Sequence, residues 1–209
     1  MKKEMTIFYE VHDNIYVNLT NKCPCACTFC LRQTRDHMEN SHVLWLEHAP
    51  SLEEVQEAMK AVDFSKYKEV VFCGFGEPTE ALDVLKQSAK LIKEKYNMPI
   101  RINTNGLVDF INPAFDSYKM RYIIDCISIS LNAPDPESYL EVSRPKFGLP
   151  SFNSMLNFAT TVKTIVPEVM FTVVDIIKPE QIEQCKELAE GLGIPLRVRH
   201  WVTDNESYT

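Results

Sequence analysis

From about Asn14 onward, short runs of β-branched and aromatic residues alternate with longer stretches in which apolar side chains recur every three or four positions. The runs have the character of strands and the stretches that of amphipathic helices. Six strands are expected: IYVNLT at 15–20, EVVFCG at 69–74, PIRINT at 99–104, CISISL at 126–131, VMFTVV at 169–174 and PLRVRH at 195–200. Among the helices, 51–62 opens on Ser51 with Glu54 three residues later, a capping box, and repeats Leu52, Val55, Met59 and Val62 on one face. The stretch 79–96 does the same with Leu82, Leu85, Ala89 and Ile92, and 179–193 ends on glycines suited to a C-cap. Segment 134–145, PDPESYLEVSRP, is less regular and is expected to loop over the mouth of the fold, followed by a helix over 151–165. Helices separating strands in this way build a parallel α/β sheet. With no linker, repeat or low-complexity tract, one domain over 1–209 is expected.

Composition narrows the class. Hydrophobic residues make up 45% and charged residues 24% of the chain, the balance of a water-soluble globular protein. The formal net charge of -7 gives no global basic field, so a long nucleic-acid partner is not expected. Arg197, Arg199 and His200 could still hold a phosphate or carboxylate. The N-terminal segment lacks a continuous apolar run and a small-residue cleavage site, and no stretch is long and apolar enough to span a bilayer. A cytoplasmic, non-membrane location is expected, where thiols stay reduced.

In that setting the seven cysteines read as a metal or cluster site rather than as disulfides. Cys23, Cys27 and Cys30 stand as C-x3-C-x2-C directly after the first strand, with Cys25 inside the first gap as a rival ligand. Thiolates suit iron-sulfur clusters and zinc, and three of them on a four-iron cluster leave one iron open. A small molecule can chelate that iron through an amine and a carboxylate, which brings a sulfonium beside a reducible cluster. The non-enzymatic alternative is a zinc-stabilised binding module, although zinc motifs usually bring two separated pairs. Cys73, Cys126 and Cys185 are isolated in apolar strands or a helix and read as core residues.

The ends of later strands add polar groups. Gly74-Phe75-Gly76-Glu77-Pro78 follows the second strand, with glycines that let backbone approach a ligand and Glu77 as an acceptor for an ammonium. Strand three ends in Asn103-Thr104-Asn105-Gly106 and strand four in Ser128-Ile129-Ser130-Leu131-Asn132. Taken singly, such residues do no more than cap or turn. Arg32 and Arg144 could pair with a substrate or cofactor carboxylate, solvated surface arginine being the plainer reading; Tyr139 could pack against the site or lie on an amphipathic helix face, and is assigned no catalytic role.

The run CPCACTFC, with Phe29 before its last cysteine, resembles the cysteine motif of the radical S-adenosylmethionine (SAM) superfamily, and FCGFGEPTE resembles its GGE motif. The order CPCACTFCLR, FCGFGEPTE, NTNG and SLNAPDPESYLEVSRP resembles, over nearly the whole chain, the TatD-associated radical SAM proteins. The resemblance implies an α/β partial (β/α)6 TIM-like barrel, a parallel sheet with outer helices, whose chemistry gathers at the C-terminal ends of the strands. It implies a [4Fe-4S] cluster on Cys23, Cys27 and Cys30, with SAM held by Phe29, Gly74, Phe75, Gly76, Glu77, Asn105, Ser130 and Asn132. Thr172, Val173 and Val174 would offer backbone hydrogen bonds and an apolar wall to the adenine, and His200 would touch the ribose or move a proton. The implied reaction cleaves SAM reductively to methionine and a 5'-deoxyadenosyl radical that removes hydrogen from a small-molecule or protein substrate, with flavodoxin or ferredoxin as electron donor. A glycyl-radical-enzyme activase and a 7-carboxy-7-deazaguanine synthase are compact alternatives, and the SLN end of strand four is one local difference from activases. Without a further domain over the barrel, a wide, solvent-accessible mouth is expected.

Overall fold

The structure is a computed structural model and describes residues 2–202; residue 1 and residues 203–209, which the expected domain also spans, lie outside the described residues. Seven strands form one sheet in sequential order. They are β1 (Phe8–Val11), β2 (Asn14–Val17), β3 (Val70–Phe72), β4 (Ile100–Thr104), β5 (Cys126–Ser130), β6 (Glu168–Val174) and β7 (Leu196–Arg199). From β2 to β7 every pairing is parallel, as expected for the partial barrel. Strand β1 was not expected: it pairs antiparallel with β2 through a turn at His12, whose φ of 52° is left-handed. The alternation in FYEV-HD-NIYV carries this hairpin, yet the turn lacks the glycine that usually marks one.

Between the strands run α1 (Leu52–Met59), α2 (Leu82–Tyr96), α3 (Val108–Ile111), α4 (Pro136–Ser143), α5 (Pro150–Val162) and α6 (Pro179–Gly191). The segment expected as a loop over the mouth is instead α4. Asp135 caps it, accepting a hydrogen bond from Ser138 N at 2.8 Å, and Pro136 sits in the first turn. The capping box of α1 forms as read, with Ser51 Oγ accepting from Glu54 N and Glu54 accepting from Ser51 N. Ser51→Ala should therefore cost about 1 kcal/mol. That corresponds to a loss of roughly 2–4 °C in a thermal melt.

Alternation along the strands sorts the residues into two faces. Val17, Phe72, Ile102, Ile129, Phe171 and Val173 point outward and join Val55, Leu85, Ile92, Phe158 and Ala189 of the helices in the main core. A second cluster of Tyr9, Val11, Tyr16, Met38, Leu44, Val71 and Phe75 fills the concave side near the hairpin. Polar residues such as Arg101, Asn103, Ser128, Ser130 and Thr172 occupy further inward positions, and the C-terminal ends of the strands open into a cavity.

Candidate active site

The cavity measures about 260 Å³ and gathers at one end of the sheet every residue assigned to the cluster or to SAM except Thr172 and Val173; of the arginines named as anion candidates, Arg32 and Arg199 line it, and Arg144 and Arg197 do not. Cys23, Cys27, Phe29 and Cys30 come from the loop after β2, Gly74 to Glu77 from the loop after β3, Asn105 follows β4, Ser130 and Asn132 close β5, and His200 follows β7. Val173 is fully buried on the helix side, because strand alternation turns its side chain away; its neighbour Val174 lines the cavity in its place. Cys126 and Cys185 are buried as expected, whereas Cys73 lies on the inward face and lines the cavity.

The cysteine loop is held from outside by the end of α4. Ala26 N donates to Ser143 O and Thr28 N to Val142 O, while Lys146 N donates to Pro24 O at 2.8 Å, so residues 24–28 lie antiparallel to 142–146. Arg144 contributes as the left-handed C-cap of α4 (φ 46°). Arg32 spans from Cys25 O to Phe75 O and ties the cysteine loop to the glycine loop. Cys25 is buried in the core beside the Cys23 and Cys27 thiols. Interaction with the Cys25 thiol holds Cys23 and Cys27 below the ordinary thiol range and pushes Cys25 far above it, while burial raises Cys30. Asn105 Nδ2 points at the Cys23 and Cys25 sulfurs at 3.9 and 3.7 Å, its Oδ1 tied to Leu107 N.

The glycines serve packing as well as access. A Cβ on Gly74 would stand 2.1 Å from Asn18 Oδ1, and one on Gly76 would stand 2.3 Å from Thr20 O and 2.6 Å from Lys22 O. At Gly76 the glycine loop thus passes the cysteine loop at backbone contact, which only glycine permits, whereas Gly74 makes room for the Asn18 side chain. Gly76→Ala should push the glycine loop off the cysteine loop at a cost of about 2–3 kcal/mol. The expected signature is a fall in Tm of roughly 5–10 °C together with reduced iron uptake on reconstitution.

Glu77 is a hub rather than an open acceptor. Its buried carboxylate accepts from Thr79 N (3.1 Å), Thr79 Oγ1 (2.8 Å), Thr104 Oγ1 (2.6 Å) and Asn105 N (2.8 Å), tying the ends of β3 and β4 together. Burial raises its pKa despite these donors. Asn132, left-handed at φ 61°, donates to Ser143 Oγ at 3.1 Å and so links β5 to the helix that backs the cysteine loop. His200 stands exposed at the rim, with Nδ1 2.8 Å from Asp175 Oδ2. Burial pushes the Asp175 carboxyl up, but the bonds from His200 and Trp201 N outweigh it and leave it below its ordinary value.

Tyr139, given no role from the sequence, is 1% exposed and lines the cavity. Its hydroxyl and Asn103 Oδ1 are buried cavity-wall atoms with no hydrogen-bond partner within the protein. Buried polar atoms are normally satisfied, so two orphans on one wall suit a polar occupant. Among the described residues no three Cys, His, Asp or Glu side chains converge on one metal ion. Each thiolate binds a different iron of a cubane, so a cluster does not require such convergence.

Residues 17–192 match the model of the radical SAM superfamily. The chain belongs to that superfamily. Its cofactors are those of the family, a [4Fe-4S] cluster and SAM, and the residues lining the cavity fit them. No curated protein matches the chain. Among solved structures, Streptococcus suis SuiB bound to precursor peptide SuiA superposes with a TM-score of 0.63 at 15% identity over 90% of this chain and 39% of that one. The structure of polyhistidine-tagged anSMEcpe with bound AdoMet gives 0.66 at 17% identity, over 90% and 49%. The FeFe-hydrogenase maturase HydG from Carboxydothermus hydrogenoformans gives 0.59 at 21% identity, over 90% and 44%. These likenesses establish the partial-barrel α/β fold, and the chain spans less than half the length of each. No described helix is long and apolar enough to cross a membrane.

Proposed function

We propose that Cys23, Cys27 and Cys30 carry the [4Fe-4S] cluster and that Cys25 stays a thiol in the wall behind it. When bound, the reduced cluster supplies the electron that divides SAM into methionine and a 5'-deoxyadenosyl radical, which removes a hydrogen atom from substrate. The observation that carries this reading is the convergence of the three cysteines with the loops after β3, β4 and β5 on one cavity. In it Phe29 and Phe75 exclude water from the cluster end, and Arg32 fixes the distance between the cysteine and glycine loops. The backbone of Gly74 to Glu77 meets the amino-acid end of SAM, with Glu77 holding that loop in place. Ser130 and Asn132 meet the ribose and carboxylate, the backbone beside Val173 and Val174 borders the adenine, and His200 closes the rim.

Flavodoxin or ferredoxin provides the electron, since a radical SAM enzyme needs an external reductant. The order of motifs from CPCACTFCLR to SLNAPDPESYLEVSRP supports placement beside the TatD-associated proteins. The test is anaerobic reconstitution followed by dithionite and SAM, with 5'-deoxyadenosine read by liquid chromatography and mass detection. About four irons and four sulfides per chain, as the cubane formula requires, and 5'-deoxyadenosine are expected. A chain that takes up stoichiometric zinc and no cluster would overturn the reading.

A further inference from the structure

The cysteine loop has two faces. Cys25 and Cys27 line the cavity, while Ala26 and Thr28 between and after them are exposed. The strand-like partner at 142–146 divides in the same way, with Ser143 on the cavity wall and Arg144 and Lys146 exposed outside it. A single layer of backbone therefore separates the proposed cluster ligands from the outer surface. Electron transfer falls steeply with distance, so a wall one backbone layer thick lets a carrier rest close to the cluster.

That outer surface differs from its surroundings in chemistry. Phe147 stacks on Phe110 with ring centroids 4.8 Å apart, and Lys146 Nζ lies over the Phe147 ring at 4.8 Å. Phe110 is 37% and Leu149 45% exposed, among the few large apolar side chains left open to solvent. Lys22, two residues before the Pro24 that accepts from Lys146 N, and Arg144, two residues before Lys146, are exposed as well, with Glu141 and Asp109 the nearest exposed acids in sequence. In a chain of net charge -7, an anionic partner is repelled by most of the surface, whereas this stretch offers three cations around a small apolar centre. A small apolar patch with a charged rim is the form of a weak, transient electron-transfer interface.

We infer that the outer face of residues 22–28 and 144–149, with Phe110, is the docking surface of an acidic one-electron carrier protein. The inference rests on the assignment of the cluster to Cys23, Cys27 and Cys30. Lys22 and Lys146 steer the carrier, Phe110, Phe147 and Leu149 seat it, and the ribbon at Ala26 and Thr28 lies beneath its redox group.

The experiment compares two reductants on the reconstituted full chain: enzymatically reduced flavodoxin, which has to dock, and dithionite, which does not. Lys22→Glu/Lys146→Glu should cut flavodoxin-driven 5'-deoxyadenosine formation at least about 10-fold through a raised KM for flavodoxin, with iron content and the dithionite-driven rate unchanged. The wild-type flavodoxin rate should fall as salt is raised from about 0.05 to 0.3 M, and the variant's should not. Where the double variant fails to load its cluster, Lys146→Glu alone carries the test with a smaller KM effect in the same direction. An unchanged flavodoxin KM in a cluster-loaded variant overturns the docking surface while leaving the enzyme reading intact. Absence of dithionite-driven cleavage in the loaded wild type would instead sink the reading beneath it.

Discussion

Cys27→Ala should bring 5'-deoxyadenosine formation down to the no-enzyme background, a loss of more than about 100-fold, since even outer-shell changes at metal sites cost 10- to 100-fold. The fold should survive. Cys27 is only partly buried at the edge of the main core, and its loop is held through backbone bonds from Ala26 and Thr28 to the end of α4, which alanine leaves in place. Circular dichroism and the melting curve of the cluster-free chain should therefore match wild type to within about 1 kcal/mol. Cys25→Ala is the discriminating companion. Its side chain is buried in the core beside the two flanking cysteines, so the variant leaves a small void and should lose stability yet still bind about four irons per chain. Iron retained in Cys27→Ala and lost in Cys25→Ala would reverse the ligand assignment.

The positions that read correctly are those where one local rule dominates. Each inward strand end was visible because a β-rich run stops on polar residues, and the capping box of α1 because Ser51 and Glu54 meet within one turn. Three features depended on contacts that spacing does not encode. Whether Val173 or Val174 faces the cavity is a question of register, and a one-residue difference reverses the face. Gly74 and Gly76 read as room for a ligand, but their missing Cβ atoms are required by Asn18, Thr20 and Lys22, far away in sequence. Tyr139 read either as packing against the site or as one face of an amphipathic helix, and it is both, because Asp135 and Pro136 begin a helix whose end clamps the cysteines. The Asp-Pro pair before a short apolar repeat was the available signal, masked by the second proline at Pro134.

Glu77→Ala should be the most destabilising single change in the site, at about 4 kcal/mol, because it strands four donors on three residues in a buried setting. Adjacent cavity water limits the loss, and a fall in Tm of roughly 8–16 °C is expected. Glu77→Gln is milder, yet its amide cannot accept from both Asn105 N and the Thr79 and Thr104 groups, so one bond is lost. The two side chains also differ in their dependence on pH. Burial raises the folded carboxyl above its ordinary value near 4.5, so the native state binds the proton more tightly than the unfolded chain. The contribution of this ionisation is then complete below the ordinary carboxylate range and declines as pH climbs through the raised folded value. Glutamine does not titrate, so the wild type's advantage over Glu77→Gln in urea unfolding should be larger at about pH 5 than at about pH 8. A difference that grows with pH instead would mean that the four donors outweigh burial, making Glu77 a stabilised carboxylate rather than a strained one.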